Sequence, residues 1–171
     1  NHYRADYAAL SADAAAPLLD RVCQGLYAPG SAFKPAVAAA ALTAGIDPAA
    51  TVNCTGRYGF YSGYQPGCLQ YGHGGPVDLH TALEYSCNIF FYDVGRRLGV
   101  DVFSAMARQL GLATPTGVEI AEAQGRLTWS SDENYQAGLT LMAAIGQGNT
   151  AVTPLQLAAY ACLLYTSDAA D

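Results

Sequence analysis

Charge is scarce in this chain of 171 residues: Lys and Arg together number 8, Asp and Glu 14, and the net charge is -6. The few cations are scattered, so no basic stripe exists to neutralise a phosphate backbone, and nucleic acid is not expected as a partner. Long apolar runs are missing too. No stretch reaches the roughly 20 residues of a membrane-spanning helix, and no charged start followed by a short apolar core marks an export signal. Any anchor is therefore expected outside these residues. Repeats and low-complexity segments are also absent. What remains is an apolar share of 51%, which excludes a disordered chain and is enough for one domain with a sizeable core. The chain opens on Asn1-His2-Tyr3 without a methionine and closes where a helical pattern runs into polar residues. Both ends are thus expected to be cut, with residues 165–171 a non-native tail outside the fold.

Along the chain, "PAVAAAALTA" (residues 35–44) predicts a helix that starts near Ser31, with Gly45 as its cap and Asp47-Pro48 as a turn. Residues 51–75 are rich in Gly, Tyr and Cys and predict short strands or an ordered loop. Asp78 is placed to cap a helix over "DLHTALEYS". "IFFYDVGRRLG" and "VDVFSAMARQLGL" predict two more helices, each closed by glycine, and "TGVEIAEAQG" predicts a strand edge and turn. Thr153-Pro154 pairs a capping residue with a proline at the first position of a last helix. Within the fourth of these segments "IFFY" reads as core packing, while Glu84 and Asp93 read as helix-face charges and His80 as a surface residue.

Chemistry enters with "YAPGSAFKP", where Ser31 and Lys34 share the mouth of an alanine-rich helix. A serine hydroxyl is a poor nucleophile without a base in reach. Residues three apart on a helix lie on one face, and a lysine desolvated among apolar neighbours such as Phe33 and Val37 becomes a usable base near neutral pH. Alone, the pair fits equally a capping serine and a solvated lysine. A second constellation decides between them: in "EYSCNIFFY" Ser86 and Asn88 flank one residue at a helix end, and Ser-x-x-Lys followed by Ser-x-Asn is the active-site order of penicillin-recognising serine enzymes.

With those motifs in place, the chain resembles class B penicillin-binding proteins, the monofunctional D,D-transpeptidases of peptidoglycan synthesis. The likeness runs through "PLLDRVCQGLYAPGSAFKPAVAAAALTAGI", "GHGGPVDLHTALEYSCNIFFYDVGRRLG", "TGVEIAE" and "AIGQGNTAVTPLQLA", over residues 7 to 164. The resemblance implies an α/β (α+β) fold of the penicillin-binding protein and serine β-lactamase type, with residues 1–164 a partial transpeptidase domain. It implies Ser31 as the nucleophile, Lys34 as its base, Ser86 as a proton relay and Asn88 as the residue that binds substrate amide and orients Lys34, with no cofactor needed for catalysis. Expected partners are peptidoglycan stem peptides, β-lactams and a cell-wall polymerase complex, at the extracytoplasmic face of the cell membrane, with an anchor only in the full-length protein. The "GHG" and "FFY" contexts lean toward the elongation type. A serine β-lactamase and a non-catalytic β-lactam-sensing domain are the rival readings. The family's third motif, Lys-Thr-Gly, does not occur; it is expected to lie past the last residue, together with the central-sheet strands, leaving a fragment expected to be inactive alone.

Five cysteines, Cys23, Cys54, Cys68, Cys87 and Cys162, are an odd number that prevents complete pairing. Cys54, Cys68, His73 and Cys87 make up the three thiols and one imidazole that suit tetrahedral zinc. Some elongation-type penicillin-binding proteins place a metal site of Asp, His and Cys at matching positions, so the resemblance also points to a structural metal here. A Cys54–Cys68 disulfide and plain buried thiols remain the alternatives.

Overall fold

The structure, a computed structural model, describes residues 2–69 and 73–166. The chain enters through α1 (His2–Ala12), which the sequence pattern does not single out. A 3₁₀ turn (Gly30–Phe33) then runs directly into α2 (Lys34–Thr43). Alanine makes this segment a strong helix former, Pro35 occupies the first turn, where its missing N–H is no loss, and Gly45 ends it in the left-handed region at φ +79°. β1 (Val52–Cys54) and β2 (Gly75–Val77) pair antiparallel, with Val52 opposite Val77 and Cys54 opposite Gly75. The loop they enclose is the Gly-, Tyr- and Cys-rich stretch read from the sequence, and residues 70–72 of it lie outside the described residues.

Asp78 caps α3 (Leu79–Glu84) as expected, its carboxylate accepting from the Thr81 N–H at 2.8 Å. α4 (Asn88–Leu98) and α5 (Val100–Gln109) follow, joined by Gly99 alone, which closes one and opens the other at φ +83°. α6 (Ala137–Ala144) is succeeded by α7 (Pro154–Thr166). The start of α7 is a reciprocal capping box: Thr153 Oγ1 accepts from the Gln156 N–H at 3.1 Å, and Gln156 Oε1 accepts from the Thr153 N–H at 3.2 Å. α7 takes in Tyr165 and Thr166, the first two residues of the expected tail; the other five, 167–171, lie outside the described residues. No helix among the described residues is long and apolar enough to cross a membrane.

The core is built on α2, whose small residues allow close approach of α5 and α4, while α6 packs on α4 and α5. Phe90, Phe91 and Tyr92 are buried there, which bears out the packing role read for "IFFY". Phe33 meets Phe103 edge-on at 6.3 Å, tying the 3₁₀ turn to α5. Two expectations need correction. "TGVEIAEAQG" contains no strand: Val118 and Ile120 are both exposed, so the segment has no apolar face to bury against a neighbour. Side chains hold it instead, with Glu122 accepting from Thr116 N at 2.8 Å and Gln156 Nε2 donating to Glu122 and to the Ala123 carbonyl. Asp93 is more than a face charge, because it accepts from Tyr58 at 2.9 Å and pairs with Arg96 and Arg97. Glu84 stays at the surface, beside His80.

Gly95 marks a tight helix crossing: a Cβ placed there would lie 2.5 Å from the Ala144 Cβ, a distance real side chains do not adopt. Gly95→Ala is therefore expected to lower stability by about 1–3 kcal/mol through forced separation of α4 from α6. Urea denaturation measures this, and an unchanged midpoint would mean the crossing has slack.

Candidate active site

Ser31 lies in the 3₁₀ turn ahead of α2, not at the cap of an α-helix, and no side chain caps that turn. Its hydroxyl stays accessible to solvent. Lys34, one turn on, is 2% exposed. An ammonium ion so far from water must have every donor satisfied. Lys34 Nζ meets this demand with three bonds: to the Ser86 carbonyl at 2.7 Å, to Ser86 Oγ at 2.8 Å and to Asn88 Oδ1 at 2.7 Å. The Phe91 ring lies 5.5 Å from Nζ and adds a cation–π contact.

All three donors being in use, Lys34 reaches Ser31 through an intermediary. Ser86 Oγ lies 2.9 Å from Ser31 Oγ and donates to it, giving a continuous line Lys34–Ser86–Ser31. The structure thus brings together all four residues singled out from the sequence and routes the serine–lysine contact through Ser86. Burial pushes the Lys34 pKa down to about 8, with electrostatic interaction with Cys68 and Cys87 acting more weakly the other way. At that value roughly one lysine in ten is neutral at pH 7, enough to supply a base.

Ser86 is held in place by a helix ending. Beyond α3 the Ser86 N–H bonds to the Leu83 carbonyl at 3.3 Å and the Cys87 N–H to the Ala82 carbonyl at 2.9 Å. This is the Schellman pattern, whose left-handed position glycine normally fills. Here it is Ser86, at φ +55°, where a side chain costs roughly 1–2 kcal/mol. Strain at a non-glycine residue is frequent where function dictates the residue type. The next residue, Cys87, is extended and Asn88 opens α4, so three consecutive residues leave the turn in different directions. Asn88 is steadied further by Gly67, whose carbonyl accepts from Asn88 Nδ2 at 3.5 Å and from the Tyr92 hydroxyl at 3.4 Å. Sequence reasoning missed Gly67 and Tyr92, since neither belongs to a motif. The helical spacing of Tyr92 from Asn88 was the one available signal.

Behind this turn the second predicted set converges. Sγ of Cys54, Cys68 and Cys87 and a ring nitrogen of His73 lie within 4.8 Å of one another. All five cysteines are free thiols, so the Cys54–Cys68 disulfide is not formed. Tetrahedral zinc with ordinary bond lengths requires ligand separations of about 3.6 Å from sulfur to nitrogen and about 3.8 Å between sulfurs. His73 Nδ1 stands 3.4 Å from Cys54 Sγ and 3.7 Å from Cys68 Sγ, and Cys68 and Cys87 are 3.9 Å apart. The donor set suits the ion, and these three separations are close to what it requires. Burial raises the Cys54 thiol, but hydrogen bonds from His73, Gly56 and Cys87 outweigh it and bring the pKa to about 7; burial drives Cys87 up to about 12.

Comparison with known proteins finds relatives over most of the chain. The family described as the penicillin binding protein transpeptidase domain matches residues 2–166. The peptidoglycan D,D-transpeptidase MrdA of Salmonella typhimurium is 34% identical over 166 residues, covering 89% of this chain and 26% of its own length. The chain thus spans about a quarter of that relative. Among solved structures, penicillin-binding protein 2 of Helicobacter pylori in complex with MreC superposes with a TM-score of 0.87 at 28% identity, over 95% of this chain and 32% of that one. The penicillin G acyl-enzyme of penicillin-binding protein A from M. tuberculosis gives 0.82 at 28% identity, over 94% and 37%.

Replacing Ser86 by alanine or by glycine removes the same hydroxyl but differs in backbone strain. Ser86→Gly is expected to be more stable than Ser86→Ala by about 1 kcal/mol in paired denaturation curves. Equal stabilities would show that the turn relaxes out of the left-handed region once Lys34 is released.

Proposed function

The chain belongs to the penicillin-binding protein transpeptidase family, and from that premise we propose that it carries the acylation machinery of a peptidoglycan D,D-transpeptidase. Ser31 Oγ attacks the penultimate D-Ala carbonyl of a stem peptide. Once Lys34 is neutral, the lone pair on Nζ accepts from Ser86 Oγ and Ser86 Oγ accepts from Ser31, reversing the direction the hydrogen bonds have around the ammonium. The Ser31 proton then passes to Ser86 Oγ as the Ser86 proton passes to Lys34, and the same line returns a proton to the departing D-Ala amine. An amine on a neighbouring strand then takes the acyl group from Ser31, forming the cross-link. A β-lactam enters the same path, since its strained amide presents an equivalent carbonyl and leaves a slowly hydrolysed ester. The observation that supports this reading most directly is the unbroken line of hydrogen bonds from Lys34 through Ser86 to Ser31, with Asn88 fixing its buried end.

Residues 1–164 are read as the helix-rich part of a transpeptidase domain that works at the extracytoplasmic face of the cell membrane. The elongation type is favoured by the likeness to MrdA. The Helicobacter pylori protein's complex with MreC makes a membrane-associated cell-wall assembly the expected setting. A structural zinc ion, coordinated by Cys54, Cys68, His73 and Cys87, would tie the loop between β1 and β2 to the start of α4. It would take no part in bond making, its role being to fix Cys87 between Ser86 and Asn88.

The test uses a polypeptide carrying this segment at the length of its relatives. A fluorescent penicillin is expected to form an ester on Ser31 that persists for many minutes, located by mass spectrometry and abolished by Ser31→Ala. The rate of acylation should rise with pH and level off above about 8, as Lys34 loses its proton. Rapid turnover of the adduct would turn the assignment to a β-lactamase, and a folded protein that takes no label would remove the catalytic reading. For the metal, one equivalent of zinc per chain is expected by elemental analysis, unaffected by Ser31→Ala but lost in Cys54→Ser/Cys87→Ser. A protein that purifies with Cys54, Cys68 and Cys87 all reactive and no zinc, and melts at the same temperature with or without chelator, would rule out the ion.

A further inference from the structure

The turn that carries Ser31 has neighbours beyond the lysine clamp. In a 3₁₀ turn each N–H reaches back three residues, so its first N–H groups have no partner within it. The first of these, on Gly30, donates to the Gly146 carbonyl at 2.9 Å. Gly146 adopts φ +70°, and a Cβ on it would sit 2.2 Å from the Gly30 carbonyl oxygen, 2.7 Å from Phe33 Cβ and 2.9 Å from the Gly30 nitrogen. These are atoms on either side of Ser31, two of them backbone, and Phe33 is fully buried against Phe103. None can swing aside as the end of a flexible side chain does.

The segment bearing Gly146 is itself anchored on two sides. Val152 exchanges both backbone hydrogen bonds with Tyr27, each 2.9 Å, just upstream of the turn. Ala151 exchanges bonds of 2.7 and 2.9 Å with Arg126, whose Nε donates to the Asn149 carbonyl at 2.8 Å. The stretch from Ile145 to Val152 is therefore a brace fixed at its far end and pressed against the nucleophile turn at Gly146.

We propose that Gly146 is a positioning residue for acyl transfer: its carbonyl and its lack of a side chain set the height of the Ser31 turn against the carbonyl under attack. The proposal rests on the reading of Ser31 as nucleophile. By occupying the Gly30 N–H, Gly146 leaves the Ser31 N–H as the turn's free donor toward the developing oxyanion. A methyl group at Gly146 displaces this turn through those collisions. Such displacement lowers the rate of bond formation more than the binding that precedes it.

Gly148 provides the control. It shares φ +70° and the same segment, but an added Cβ would meet only Leu139 and Met142 at 3.6 Å and the Ala143 nitrogen at 3.9 Å, ordinary contact distances. Gly146→Ala and Gly148→Ala therefore carry the same backbone strain, and only the first presses on Ser31. In the protein at the length of its relatives, β-lactam acylation is resolved into affinity before bond formation and maximal acylation rate. Gly146→Ala is expected to lower the maximal rate roughly a hundredfold, with affinity changed less than about threefold and the pH midpoint unmoved. Gly148→Ala is expected to melt earlier yet acylate at the unaltered rate. Equal rates in the two variants, whether both normal or both depressed, overturn the proposal. If Gly146→Ala does not fold, Arg126→Ala decides: it removes the exposed Arg126–Asn149 tie, so a several-fold slower acylation supports the brace and an unchanged rate overturns it. An unsubstituted protein that takes no penicillin on Ser31 removes the reading of the nucleophile itself, whereas failures confined to the variants remove only the brace.

Discussion

Burial of the Lys34 ammonium is the constraint around which the rest of this structure is arranged. Removing a cation from water is unfavourable by several kcal/mol unless hydrogen-bond acceptors replace its hydration. The acceptors here come from one short turn, with two on Ser86 and one on Asn88. That turn can offer them only if Ser86 adopts a left-handed backbone and α4 begins two residues later. The helix ending of α3, the strain at Ser86 and the start of α4 are thus consequences of stabilising one charge. The same burial that demands these bonds lowers the lysine's proton affinity toward neutrality, so a structural necessity and a chemical capability share one cause.

Sequence reading went furthest where a single residue type has a single physical use. Asp78 at the start of α3, Gly45 after α2, Gly99 between α4 and α5, and Thr153-Pro154 before α7 were all legible, because caps and breakers act locally. The four site residues were legible as a pattern of spacing. Their connection was not: nothing in Ser-x-x-Lys reveals that the lysine's donors are all taken by the second motif and that contact with Ser31 passes through Ser86. "TGVEIAEAQG" misled because alternating apolar residues suggest a strand, while the tertiary setting leaves Val118 and Ile120 in solvent and offers no ladder. Asp93 looked like a surface charge because its partner Tyr58 is 35 residues away in sequence.

The thiol cluster and the Ser86 turn meet at Cys87, and their meeting explains why the loop between β1 and β2 matters to a candidate site whose four residues lie outside it. Cys54 ends β1, Cys68 and His73 lie on the loop, and Gly67, next to Cys68, touches both Asn88 and Tyr92. Order in a long loop with little regular structure is costly in chain entropy. The Tyr58–Asp93–Arg96 network, with Arg96 stacked 3.8 Å over Phe60, offsets part of that cost at one end and the thiol cluster at the other.

Ser86, Cys87 and Asn88 each answer to a different neighbour, and they do so within three successive peptide units. An added or deleted residue here would shift all three by one place, putting the phenol of Tyr85 or the thiol of Cys87 where the serine hydroxyl belongs. The loop between β1 and β2, by contrast, can change length between its anchoring residues without altering any of these assignments. Variation in chain length across proteins built on this plan should therefore collect in that loop and stop abruptly at Tyr85, which makes the turn a fixed point for aligning distant members of the family by eye.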